Sequence, residues 1–220
     1  MTLFLSSSGG LNCINHIKKI GKGKKQLHIS LWDLDYDTLH VKKSLKMFGE
    51  IGVVFPLYFN STGDIRGNIN ILENSNIFDT LVMYGGNTKT IIDKIKSFKL
   101  LPYIKKYAEE KVYVGISAGV DVAKIFNLCP QINSNVHWDI YEEDPIRYQN
   151  YIFQESPENK KPPIKEYINN TKGDYYLIFD DGYFVYKNKN FVPYGKMYYR
   201  HNGIWYLIND KSIIEINCPI

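Results

Sequence analysis

"KVYVGISAGVDVA", residues 111–123, decides the fold. Val112, Tyr113 and Val114 form an apolar run of the kind found in buried strands, and a tail suited to a helix follows from Ala118 to Phe126. Between them lies Gly115-Ile116-Ser117-Ala118-Gly119, a turn made almost wholly of small residues. A strand that passes so abruptly into a helix is half of a parallel crossover, because the helix must carry the chain back before the next strand can align. The same unit stands just upstream. Thr80–Tyr84 is a second buried-strand run, it ends in Gly85-Gly86-Asn87-Thr88, and Ile91, Ile92, Ile95 and Phe98 then recur at helical spacing.

Working outward, Thr2–Leu5, Leu27–Leu31 and Ile51–Tyr58 read as further strands, with Ser6–Gly10 a tight loop and helices over about 12–20, 36–48 and 101–109. Asn60, Gly63, Asp64 and Gly67 read as a polar loop. Alternation of this kind predicts an α/β fold, a mostly parallel sheet with helices on both faces. From Pro130 to Asn170 the chain turns polar, aromatic and charged, which predicts long loops and one short helix over about 146–153. From Tyr175 onward, aromatic and branched residues alternate between turn signals at Asp181-Gly182, Asn188–Asn190 and Asn202-Gly203. These predict C-terminal antiparallel hairpins that extend the sheet. No linker divides the chain, so residues 1–220 are expected to form a single domain.

Composition narrows the partners. A net charge of +4 is mild, and the one lysine cluster, Lys18 to Lys25, surrounds two glycines without arginine or stacking aromatics, so no nucleic-acid partner is expected. No apolar run reaches the roughly 20 residues of a membrane span, and the start is too short and lacks the basic leader of a signal peptide. Cys13, Cys129 and Cys218 are far apart and match no metal-ligand spacing. The expectation is a cytoplasmic protein without metal or organic cofactor, monomeric or homodimeric.

In an open parallel sheet, ligands bind beyond the carboxyl ends of the strands, where both glycine-containing loops fall. Gly115–Gly119 satisfies G-x-S-x-G, in which small neighbours let the chain turn sharply and expose the serine hydroxyl. That makes Ser117 a candidate nucleophile. The Ala118 N–H opens a helix, and the glycine pair at the end of the neighbouring strand can bring a second N–H close to the same point, so the two loops offer a candidate oxyanion hole. A serine needs a base. His16, His28 and His40 fall in helices or a strand and His201 in a hairpin turn, whereas His137 follows the Ser117 helix in a polar segment able to return over the sheet edge.

"YGGNTKTIIDKI" and "VYVGISAGVDVA" together resemble the paired signatures of the S51 serine peptidase family, which includes peptidase E (aspartyl dipeptidase) and cyanophycinase. "LFLSSSG", "QINSNVHWD" and "YYLIFDDGYFVYKNK" extend the likeness more loosely. The resemblance implies a compact fold of the class I glutamine amidotransferase type, with Ser117 as nucleophile, His137 as general base, and Gly86 and Ala118 at the oxyanion hole. For the acid of the triad it points to Asp181 in "FDDG", which otherwise reads as a hairpin turn; Asp139, Glu142 and Asp121 are substitutes. It further implies substrate-binding roles for Arg147, which alternatively pairs with Glu142 or Glu143, and for Asn87.

The expected function is a serine hydrolase that cleaves short peptide or isopeptide bonds, next to aspartate, through an acyl-enzyme. A small peptide is the implied partner. The short stretch between Ser117 and His137 also admits a binding or regulatory protein that keeps the fold without hydrolysis, and the same serine would serve a small-substrate esterase or amidase.

Overall fold

The structure is a computed structural model. It describes residues 1–31, 39–59, 64–146, 148, 163–209 and 212–219. The alternation read from the sequence is present: β1 (Thr2–Ser6), α1 (Leu11–Lys19), β2 (Lys25–Ser30), α2 (Leu39–Gly49), β3 (Val53–Tyr58), α3 (Ile65–Glu73), β4 (Thr80–Met83), α4 (Thr88–Ser97), α5 (Leu101–Glu110), β5 (Val112–Ile116) and α6 (Ala118–Ile125). Strands β3, β2, β4, β5 and β1 are parallel in that order. Next to β1 lie β8 (Tyr183–Lys187) and β9 (Asn190–Tyr194), both antiparallel to their neighbours.

The inner strands β1, β2, β4 and β5 are buried on both sides because both sides are covered. Phe4, Val82, Val114 and Val185 pack against α1 residues Ile14 and Ile17. Leu3, Leu5, Leu81, Met83 and Phe184 face the opposite way, into the core that holds Ile91 and Ile95 of α4 and Ile104 of α5. Among the described residues no helix is long and apolar enough to cross a membrane.

Three expectations are corrected. The segment after Asn60 is not wholly loop, because Ile65, Ile69 and Leu72 lie on one helical face against the core and the Asp64 carboxylate caps α3 by accepting the Gly67 N–H at 2.9 Å. The stretch from Pro130 to Asn170 contains a strand, β6 (Asn133–Asn135), and helices α7 (Trp138–Glu143) and Ile164–Asn170. The helix predicted over 146–153 falls almost entirely outside the described residues.

The third correction concerns the hairpins. Only β8 and β9 extend the main sheet. β7 (Tyr175–Ile178), β10 (Met197–His201), β11 (Ile204–Asn209) and β12 (Ser212–Ile216) join β6 in a separate five-stranded sheet of order β12-β11-β10-β7-β6. The reason lies in β7. Tyr176 and Ile178 enter the core beside Phe184, while Tyr175 and Leu177 pack with Phe179, Trp138 and Trp205 on the far side. A strand apolar on both faces needs a layer on each, and a second sheet between the main core and α7 provides both.

Candidate active site

Ser117 ends β5 and opens α6 with φ 54° and ψ −118°, a backbone region that residues with a Cβ rarely adopt. Such strain costs about 1–3 kcal/mol and persists only where neighbours over-determine it. Here they do. The Ser117 N–H donates to the carbonyl of Ser6 at 3.0 Å, and the carbonyl of Ser117 accepts the Val120 N–H at 2.8 Å. Gly85 leaves the room: a Cβ there would stand 2.5 Å from the Ser117 Cβ and 2.9 Å from its Oγ. The end of β4 therefore lies directly against the serine side chain.

Gly86 has φ 134°, within reach of glycine alone, so the loop after β4 turns sharply beside Ser117. Ala118 is the first residue of α6, whose leading N–H groups have no acceptor within the helix. Asn87 serves as the N-cap of α4, its side-chain oxygen accepting the Thr90 N–H at 2.8 Å, which fixes the Gly85-Gly86 loop from its far end.

His137 precedes α7 in a left-handed conformation, φ 58° and ψ 41°. Three anchors hold its segment: Asn135 Oδ1 accepts from the Tyr175 hydroxyl at 2.5 Å, the Val136 carbonyl from the Tyr148 hydroxyl at 2.8 Å, and Trp138 is fully buried and stacked on Tyr141 at 4.1 Å. The His137 Nδ1 lies 2.6 Å from Asp180 Oδ1.

The carboxylate on the imidazole is thus that of Asp180, one residue before the Asp181 expected from the sequence. Phe179 to Gly182 forms a turn closed by the Gly182 N–H on the Phe179 carbonyl at 2.9 Å. Within it, Asp180 is clamped on both sides: its N–H donates to Asp139 Oδ2 at 2.5 Å and its carbonyl accepts from Ser8 Oγ at 2.5 Å. Those bonds turn the Asp180 side chain to His137. Asp181 occupies the second corner, with its carbonyl packed beside Gly195.

The other acids are engaged elsewhere. Asp121 pairs with Lys124 at 2.7 Å and accepts from Thr88 at 3.1 Å, and Glu142 accepts from the Tyr198 hydroxyl at 3.0 Å. Asp139 supports the Asp180 backbone, and burial pushes its carboxyl above the usual range, partly offset by the bond from the Asp180 N–H. Arg147 lies outside the described residues. Of the remaining histidines, His28 is buried between Tyr84 and Gln26, His16 packs among Phe4, Tyr183 and Tyr194, and His201 pairs with Asp174 at 2.7 Å on the surface.

Three participants were not picked out as site residues in the sequence: Ser6, Ser7 and Asp180. All lie at the carboxyl edge, since β1 pairs parallel with β5 (Ser6 opposite Ile116) and antiparallel with β8 (Ser6 opposite Tyr183). The signal was the triplet Ser6-Ser7-Ser8 at the end of an apolar strand, where a simple loop would not need three hydroxyls.

The fold has known counterparts. No curated protein matches the sequence. Among solved structures, the chain is similar to a protein of Listeria monocytogenes EGD-e provisionally described as peptidase E, with TM-score 0.60 and 16% identity over 87% of this chain and 96% of that one. It is similar also to a peptidase from an acI-B1 Actinobacterium, with TM-score 0.58 and 14% identity over 100% of this chain and 95% of the other. At such identities the likeness establishes the fold, α/β with the C-terminal antiparallel strands. Residues 34–149, more than half of the sequence, match the profile of peptidase family S51, and the chain belongs to that family.

Proposed function

We propose that this protein is a serine hydrolase that cleaves short peptide or isopeptide bonds next to aspartate. The observation that carries the reading is the pairing of His137 with Asp180 at 2.6 Å, at the sheet edge where Ser117 is held in a strained turn. The Asp180 carboxylate keeps the imidazole proton on Nδ1, which leaves Nε2 as the acceptor for the serine proton.

The chemistry runs in two halves. Ser117 Oγ attacks the scissile carbonyl as its proton passes to His137, and the oxyanion that forms is held by the Gly86 and Ala118 N–H groups. Collapse breaks the C–N bond, and the imidazolium returns the proton to the departing amine. Water then attacks the acyl-serine ester with His137 again as base, which releases the acid and restores Ser117. Recognition of an aspartate side chain falls to Arg147, with Asn87 lining the pocket from the α4 cap.

A fluorophosphonate probe tests the reading. Labelling of the native protein that disappears in Ser117→Ala supports it. A native protein that takes no label favours the binding or regulatory alternative.

A further inference from the structure

Ser7 is fully buried, and its bonds go to two arms of the site, the His137 segment and the Asp180 turn. Its Oγ accepts the His137 N–H at 2.8 Å and donates to Asp180 Oδ1 at 3.3 Å, and it lies 3.5 Å from the His137 Nδ1. Its own N–H donates to the carbonyl of Gly182, in the Asp180 turn, at 3.1 Å. The preceding residue, Ser6, holds the Ser117 N–H. Two successive residues of β1 and its exit thus bind the serine turn on one side and the histidine and acid on the other.

Resting on the hydrolase reading above, we propose that Ser7 is the positioning residue that sets His137 on Asp180. A hydroxyl suits the place because it accepts and donates at once in a volume little larger than a methyl group. The accepted bond ties down a histidine backbone in the left-handed region, which would otherwise relax toward commoner angles. The donated bond gives Asp180 Oδ1 a second donor beside Nδ1–H, spreading its negative charge. Ser7 touches no substrate in this role; it acts through His137.

The titratable groups around His137 are Asp180 and Asp181 on the turn, Asp139 on α7, and, further along that helix, Glu142 with its partner Lys196 at 3.7 Å. Of these, only Asp180 accepts a hydrogen bond from Ser7. Ser7→Ala removes a donor from that carboxylate, concentrates its charge on the imidazole and favours the imidazolium. The acid limb of a pH-rate profile should therefore move upward.

The test is the rate of fluorophosphonate labelling against pH for native protein and Ser7→Ala, with melting temperatures and the His137 ring titration followed by NMR. The expected result is a plateau rate lower by roughly 10–100-fold, because small misplacements of a reacting group cost that much. The acid limb and the His137 titration should both rise by several tenths of a pH unit, with melting displaced by only a few degrees. An unchanged limb and titration would overturn the role of Ser7, even if the rate fell with stability. Absence of label on native protein would instead overturn the hydrolase reading, while the NMR titration would still decide whether Ser7 sets the His137–Asp180 pair.

Discussion

Asp180 lies 2.6 Å from the Nδ1 of His137, whereas its neighbour Asp181 takes the second corner of the same turn, with its backbone carbonyl beside Gly195. Adjacent carboxylates of which only Asp180 bonds to the imidazole make a sharp comparison. Asp180→Asn keeps the shape but reverses the hydrogen-bonding preference toward Nδ1, and is expected to lower kcat/KM by about 10²–10⁴-fold. Asp181→Asn should stay within about 3-fold of native. Equal losses in the two variants, measured with the substrate or as labelling rate, would refute the assignment.

Ser117, the proposed nucleophile, sits in a strained backbone, and the two properties separate on mutation. Ser117→Ala should lower turnover by roughly 10⁴–10⁶-fold. Ser117→Gly should be equally inactive yet more stable than Ser117→Ala by about 1 kcal/mol, since glycine adopts φ 54° without penalty. Urea unfolding of the two variants checks this ordering.

Gly85→Ala is a steric probe of the β4 end. The new methyl would meet the Ser117 Cβ at 2.5 Å and the Ile116 carbonyl oxygen at 3.0 Å, so something must shift. A loss of about 1–3 kcal/mol in stability is expected, with activity falling more than stability because the displaced side chain is that of the proposed nucleophile. Thermal melting and labelling rate, measured together, separate the two effects.

His28 makes stability depend on pH. It titrates near 6.5 when unfolded, and burial brings it down to about 3 in the folded protein. Between those values the unfolded chain binds the extra proton, so the contribution is intact above about pH 6.5 and is lost as the pH falls toward 3. Burial lowers His16 in the same direction. Urea midpoints should therefore decline below pH 6.5, and His28→Gln should reduce the slope by about one proton, or roughly 1.4 kcal/mol per pH unit. An unchanged slope would contradict the buried neutral imidazole.

The Tyr148 hydroxyl supports the histidine arm through the Val136 carbonyl. Tyr148→Phe removes one hydrogen bond, worth about 1 kcal/mol, without opening a cavity. Labelling is expected to slow several-fold while the fold persists, and a rate identical to native would show that the remaining anchors hold the arm without the Tyr148 hydroxyl.

The parts of this protein legible in its sequence are those in which neighbours along the chain decide the structure. Ser117, Ala118 and Gly86 stand in contiguous strand-turn-helix units, so their places followed from local pattern. The choice between Asp180 and Asp181 did not, because it is made by Asp139, 41 residues away, and Ser8, 172 residues away. The second sheet was hidden for a related reason. Alternation identifies hairpins but not which layer they join, and only the apolar residues on both faces of β7 carried that information.

Strand β1 lies between β5 and β8, with residues near the start of the chain paired to residues beyond position 180. During synthesis the Ser117 turn and the glycine loop can form early, but the His137–Asp180 pair has no acid until β8 emerges and docks. In the proposed hydrolase, the nucleophile turn therefore precedes its histidine–acid pair in folding order, and a chain interrupted before Asp180 and β8 holds the serine without the pair that activates it.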